Sequence, residues 1–96
     1  MSVTIHNTVP DPAAARRLED GVRQALEPAL GAYVVWLKME GASPAEVAIH
    51  VEEPDRKESL GNVVESWKRS LRVAAAASAE DVRRAIEKVM LRGSSG

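Results

Sequence analysis

Hydrophobic and polar positions in this chain first alternate, then repeat at helical spacing, then alternate again. Val3, Ile5 and Val9 interleave with Thr4, His6 and Thr8, the period-two pattern of a short strand with one buried face. Pro10-Asp11-Pro12 stops that strand. Asp11 before Pro12 predicts a helix start: a side-chain acceptor at the N-cap, then a ring lacking only an N–H that the first turn leaves unpaired anyway. Leu18, Val22, Ala25, Leu26 and Ala29 then form one apolar stripe, while Arg16, Asp20, Arg23 and Glu27 occupy the other side and largely neutralise one another. Pro28 and Gly31 predict that the helix ends or kinks between them.

Beyond that point the period returns to two. Tyr33, Val35, Leu37 and Met39 alternate with Val34, Trp36, Lys38 and Glu40; after Gly41-Ala42-Ser43-Pro44, Val47, Ile49 and Val51 alternate with Ala48, His50 and Glu52. This predicts a β-hairpin with a core face and an open face. Pro54 to Asn62 is polar and aperiodic and reads as a long loop. From Val63 to Ala77, Trp67, Leu71, Val73 and Ala75 alternate with Lys68, Ser70, Arg72 and Ala74, which reads as a strand, although Arg69 falls in its buried phase and the alanine run also suits a helix. Ser78 with Asp81 resembles a capping box, and Val82, Ile86, Val89 and Met90 form the stripe of a last helix.

The expected order is therefore βαβββα: an α+β fold of two layers, a four-stranded sheet with two helices on one face. A right-handed crossover lays the first two strands parallel. The helices cover Val3, Ile5, Tyr33, Val35, Leu37, Val47, Ile49, Val51, Leu71 and Val73, and the other sheet face is left to solvent. Residues 1–92 are expected as one domain, with Gly93-Ser94-Ser95-Gly96 as a linker or appended tail.

Composition narrows the functional classes. A chain of 96 residues with 45% hydrophobic content supports one core. Thirteen basic against 14 acidic side chains leave a formal charge of −1, so no global field draws the protein to a polyanion, and any nucleic-acid contact must come from a local patch. The absence of cysteine excludes disulfides, thiolate nucleophiles and cysteine-ligated metal, and is consistent with a reducing compartment. The N-terminus has no basic opening followed by an apolar run, and no stretch reaches the ~18 apolar residues of a membrane span, so a cytoplasmic protein without membrane contact is expected.

His6 and His50 both fall in the open phase, with Glu52 near. If the hairpin's first strand lies between their strands, they stand about 9.5 Å apart at the ~4.8 Å strand repeat, too far to share one ion, and no metal site is expected. Glu52, Glu53 and Asp55 lie beside Arg56 and Lys57 in a solvated charge run, and no serine or glycine spacing marks a nucleophile or a phosphate loop, so neither enzyme activity nor a cofactor is expected. Val34, Trp36 and His50 project from the open face and offer a protein-interaction or dimerisation surface, for which an unpaired edge strand is the other candidate; the plainer reading lays Trp36 flat beneath the long loop or Lys38. Arg84, Lys88 and Arg92 form a row on the last helix with Arg83 beside them, and Lys68 and Arg72 would extend it along the last strand's edge as an RNA-phosphate surface. Basic residues near a helix C-terminus also simply complement its dipole.

The stretches Tyr33-Val34-Val35-Trp36-Leu37-Lys38-Met39-Glu40, Val47-Ala48-Ile49-His50-Val51 and Leu71 to Ile86, in this order of elements, resemble the ribosome hibernation factors, also called the sigma-54 modulation or ribosome-associated inhibitor family. The resemblance spans roughly residues 2 to 92 and implies a βαβββα fold related to the double-stranded-RNA-binding domain. It further implies a partner, the small ribosomal subunit, with Arg84, Lys88 and Arg92 as contacts to ribosomal RNA. The chain departs from the family in its near-neutral charge and in the longer segment before its last strand.

Overall fold

The computed structural model describes residues 2–41 and 45–94 and has the expected α+β architecture. Strand β1 (Ser2–Asn7) leads to helix α1 (Pro12–Leu26), a 3-10 turn (Glu27–Ala29), strands β2 (Ala32–Glu40), β3 (Glu46–Leu60) and β4 (Val63–Ala74), and helix α2 (Ala79–Ser94). The sheet order is β1-β2-β3-β4, with β1 parallel to β2 and the remaining pairs antiparallel. Ala42, Ser43 and Pro44 of the expected β2–β3 turn, and Ser95 and Gly96 of the expected tail, lie outside the described residues. Gly93 and Ser94 continue α2 instead of opening a tail.

The start of α1 follows from its sequence. The Asp11 carboxylate accepts the Ala14 N–H at 3.0 Å, with Pro12 at the first helical position. The α-helical part stops at Leu26, before Pro28, and the left-handed residue that turns the chain is Leu30 (φ 61°), where Gly31 had been expected to serve. Gly31 is needed for another reason: a Cβ there would come within 2.7 Å of the Tyr33 ring. Ala29, expected in the apolar stripe, falls in the 3-10 turn and is exposed.

The core lies between the helices and one sheet face. Leu18, Val22 and Leu26 of α1 and Val82 and Ile86 of α2 pack on Tyr33, Val35, Leu37, Val47, Ile49, Val51 and Val73, all buried. Val3, Ile5 and Leu71 are only partly buried, because β1 and β4 are the sheet's edges. Burying a side chain of this size stabilises the fold by roughly 1.5–3 kcal/mol. α1 and α2 approach so closely at Gly21 that an added Cβ would lie 2.6 Å from both the Ala79 carbonyl oxygen and Val82 Cβ.

The largest departure from the sequence-based expectation lies between Pro54 and Asn62. This segment is not a loop: β3 continues to Leu60 and pairs with β4 down to Leu60↔Val63, leaving Gly61-Asn62 as a two-residue hairpin turn with Gly61 at φ +65°. Between Glu53↔Trp67 and Lys57↔Ser66 the register slips, and Pro54, Asp55 and Arg56 are accommodated in a bulge. A bulge tolerates proline and breaks the period-two pattern, which made the segment look like a loop. Trp67, opposite Glu53, is 1% exposed. Tyr33 meets it edge-on at 6.3 Å, and the guanidinium carbons of Arg69 and Arg56 stand 4.7 and 5.3 Å from its ring centroid. Arg69 is thus tolerated in the buried phase: it crosses the indole and reaches Glu58 with two hydrogen bonds, 3.0 and 3.1 Å.

β4 ends at Ala74, and Ala75-Ala76 is a turn, so the strand does not continue to Ala77. Arg17 of α1 secures this connection, donating from Nε to the Ala77 carbonyl and from Nη2 to the Ala75 carbonyl, each at 2.8 Å. Ser78 then caps α2, its Oγ accepting the Asp81 N–H at 3.1 Å.

Candidate functional site

Strand parity decides which side chains share the open face. Register places Thr4, Val34, Glu52 and Lys68 in one row across the four strands, then His6, Trp36, His50 and Ser70, then Lys38, Ala48 and Arg72. The middle row is the most organised. Trp36 is 39% exposed, His6 stacks beside it with ring centroids 5.6 Å apart and planes 21° apart, and His50 flanks it on the other side at 5.4 Å and 48°. The segment expected to cover the indole as a loop is part of β3, and two imidazoles bracket the ring. Part of a large apolar ring thus reaches solvent at the centre of a polar surface.

Trp36 stands between the two histidines. Among the described residues no group of three His, Asp or Glu side chains is arranged to hold a metal ion. His50 instead makes a polar chain across β3 and β4: its Nδ1 lies 2.9 Å from Ser70 Oγ, and its Nε2 lies 3.9 Å from Glu52 Oε2. Residue for residue this resembles a nucleophile, a base and an orienting carboxylate. The carboxylate is beyond hydrogen-bonding distance, however, and the hydroxyl sits on an exposed face, so the contact is better described as a cross-strand polar pair that fixes the imidazole. Ser70 was not singled out by its sequence context, and only the pairing register reveals its role. Next to it, Ala48 floors a cleft of about 340 Å³ whose walls include Glu40, His50, Ser70 and Arg72.

The expected basic surface is divided by the fold. Lys68 and Arg72 do not continue the α2 row; they lie on the open face, and α2 packs on the opposite face. They therefore join Val34, Trp36 and His50, merging members of two sites that sequence reasoning kept apart. On α2 itself, Arg83 bonds Glu87 at 2.9 Å and Glu80 at 3.4 Å, and Arg84 shares Glu80 at 3.3 Å. Lys88 is exposed, and the side chain of Arg92 lies outside those described. These i,i+3 and i,i+4 pairs leave the helix surface electrostatically mixed.

Both sheet edges are blunted by arginines. Arg23 Nη1 donates to the Val3 carbonyl at 3.4 Å on β1, and Arg69 Nη1 donates to the Lys68 carbonyl at 2.6 Å on β4. A third polar node sits where Glu53 approaches Tyr33. The hydroxyl of Tyr33 is pushed above its ordinary value, first by burial and then by the Glu53 charge, with Arg56 acting the other way. Glu53 Oε2 is buried without a hydrogen-bond partner among the described residues, and Arg56 Nη1 stands 3.7 Å from it.

The geometry defines a two-layer α+β domain with one aromatic, charge-balanced sheet face left open. The chain matches no protein-family model and no curated protein. No helix among the described residues is long and apolar enough to cross a membrane.

Proposed function

We propose that this chain is a non-catalytic binding module whose working surface is the open face of the sheet, with Trp36 as its anchor. The observation that carries this reading is the indole itself, 39% exposed yet held between two imidazoles, on the face that both helices leave uncovered. Tryptophan is among the side chains enriched at the energetic centres of binding surfaces. The alternatives are weaker. On α2, Arg83 and Arg84 are engaged by Glu80 and Glu87, which lends less support to a ribosomal contact through Arg84, Lys88 and Arg92 than the family likeness suggests. Edge-strand pairing is opposed by the arginines that cap β1 and β4. A cysteine-free chain of this kind suits the reducing cytoplasm.

The test is retention of partners from a native cell extract on immobilised protein. Trp36→Ala should lose the retained partner, whereas Arg84→Glu, which alters only the helix row, should keep it. An identical retained set for wild type and Trp36→Ala would refute the open-face reading.

A further inference from the structure

We propose that the open face takes an unpaired segment of a single-stranded nucleic acid, one base stacking on Trp36 and the adjoining phosphates meeting Lys38, Arg72 and Lys68. The inference rests on the reading that the open face is the working surface and names the class of partner for it. Its basis is the convergence that the register creates: a row of three planar rings, His6, Trp36 and His50, with cations on either side of that row. Lys68 precedes the row on β4, and Lys38 on β2 and Arg72 on β4 follow it. Among the described residues Lys38 and Lys68 enter no ion pair, and the Arg72 pair with Glu40 uses Nε at 3.1 Å on a side chain that is 65% exposed. The cleft over Ala48 is lined by Arg72, with its partner Glu40, and by the Ser70 hydroxyl and the His50 ring, and His50 is in turn the cross-strand neighbour of Trp36. Stacking platforms combined with backbone-neutralising cations are the physical means by which flat protein surfaces hold unpaired bases.

A protein occupant fits this face less well. Around Trp36 the apolar Val34 and Ala48 are interleaved with Lys38, Glu40, Glu46, Glu52, Lys68 and Arg72, whereas the centre of a protein interface is depleted of lysine and glutamate. A duplex fits less well still, because its bases are stacked on one another and offer no face to the indole. The three carboxylates offset the three cations, so stacking must supply much of the affinity. That sets the expected salt dependence. Neutralising two or three phosphates of a single strand gives a loss of about 7- to 20-fold between 50 and 200 mM salt, from a slope of about 0.7 per phosphate.

The experiment is titration of the full chain with hexauridylate, hexathymidylate and a 12-base-pair duplex, followed by tryptophan emission and by anisotropy of labelled oligomers. Saturable quenching by the single strands and not by the duplex is expected. Trp36→Ala should bind at least about fivefold more weakly, the lower end of the loss for one stacked base, and Trp36→Phe should fall between the two. Ala48→Leu, which fills the cleft, should weaken binding, and Arg84→Glu should not. Circular dichroism checks that each variant is folded. Absence of saturable binding at 50 mM salt, or Trp36→Ala binding as wild type, overturns the proposal. If extract partners are retained through Trp36 but resist nuclease, the occupant is a protein: the nucleic-acid assignment falls and the open-face reading stands. Retention indifferent to Trp36→Ala removes both.

Discussion

Gly21→Ala is expected to destabilise this protein, although helix propensity alone favours it. Glycine in a helix interior costs about 1 kcal/mol relative to alanine, so the substitution begins with that advantage. Against it stands the packing of α1 on α2. The new Cβ would lie 2.6 Å from the Ala79 carbonyl oxygen, 2.6 Å from Val82 Cβ and 2.9 Å from Val82 Cγ1, where ordinary contacts begin at 3.4 Å. The helices would have to part by about 0.8 Å to restore contact distance. The obstructing carbonyl cannot move freely: Ala79 opens α2, whose start is fixed by the Ser78 cap and by the grip of Arg17 on the Ala75 and Ala77 carbonyls. Overpacking of this kind costs up to about 3 kcal/mol, so the net loss should reach up to about 2 kcal/mol. In a domain of this size that lowers Tm by about 4–8 °C per kcal/mol. Urea unfolding followed by circular dichroism measures it directly, at unchanged m. Val82→Ala should relieve only part of the loss, since the contacts to Ala79 O and to Cβ of residue 82 remain. A Gly21→Ala protein as stable as wild type, or more so, would refute the close approach of the two helices.

Two further outcomes test the sheet. Ile49→Asp places an unpaired charge between the sheet and the helices and should abolish cooperative unfolding, whereas Ala48→Asp, flanked across the strands by Lys38 and Arg72, should cost less than about 1 kcal/mol; thermal melts in the reverse order would contradict the strand parity. The Glu58 carboxyl is held below its ordinary value of 4.5, chiefly by its hydrogen bonds from Arg69, so the pair stabilises the fold above the ordinary carboxyl range and loses that contribution as pH falls through the lowered value. Glu58→Gln should therefore melt below wild type at pH 7, with the gap narrowing as pH falls below the ordinary carboxyl range, and a gap that does not narrow in acid would show that the ion pair is not its source.

The parts of the fold that could be read from the chain are those where local chemistry and global packing agree. Asp11-Pro12 had to begin a helix, and two alternating runs had to turn the same phase inward, so β2 and the first half of β3 stand in the expected register. The hairpin beyond residue 53 was illegible because a bulge absorbs Pro54 and shifts the phase, erasing the alternation that marks a strand. The positive φ of Leu30 was equally hidden, since Gly31 beside it is the residue that sequence rules select, and its absent side chain serves the Tyr33 ring instead. Gly21 gives no signal at all in one chain: only the approach of a helix from far along the sequence shows why a side chain would not fit there.

The candidate site was half legible for a related reason. Alternation correctly put Val34, Trp36 and His50 on one face, and the same alternation put Lys68 and Arg72 on the exposed phase of β4. The error was to join those two cations to the α2 row across an edge. With two helices on one side of a single sheet, an outward-facing residue of any strand belongs to the face away from the helices, so Lys68 and Arg72 share a surface with Trp36 whichever strand lies between them. What parity cannot supply is how that surface is used by its own members. The imidazoles against the indole and Ser70 against His50 depend on register to the residue, and Glu40 on Arg72 is a diagonal pair across β3. The charge balance that results, three cations against three carboxylates around one exposed indole, sets the kind of ligand this face can hold. Charge alone would not bind a polyanion here, and apolar area alone would not bind a protein, so the ring faces must contribute the difference.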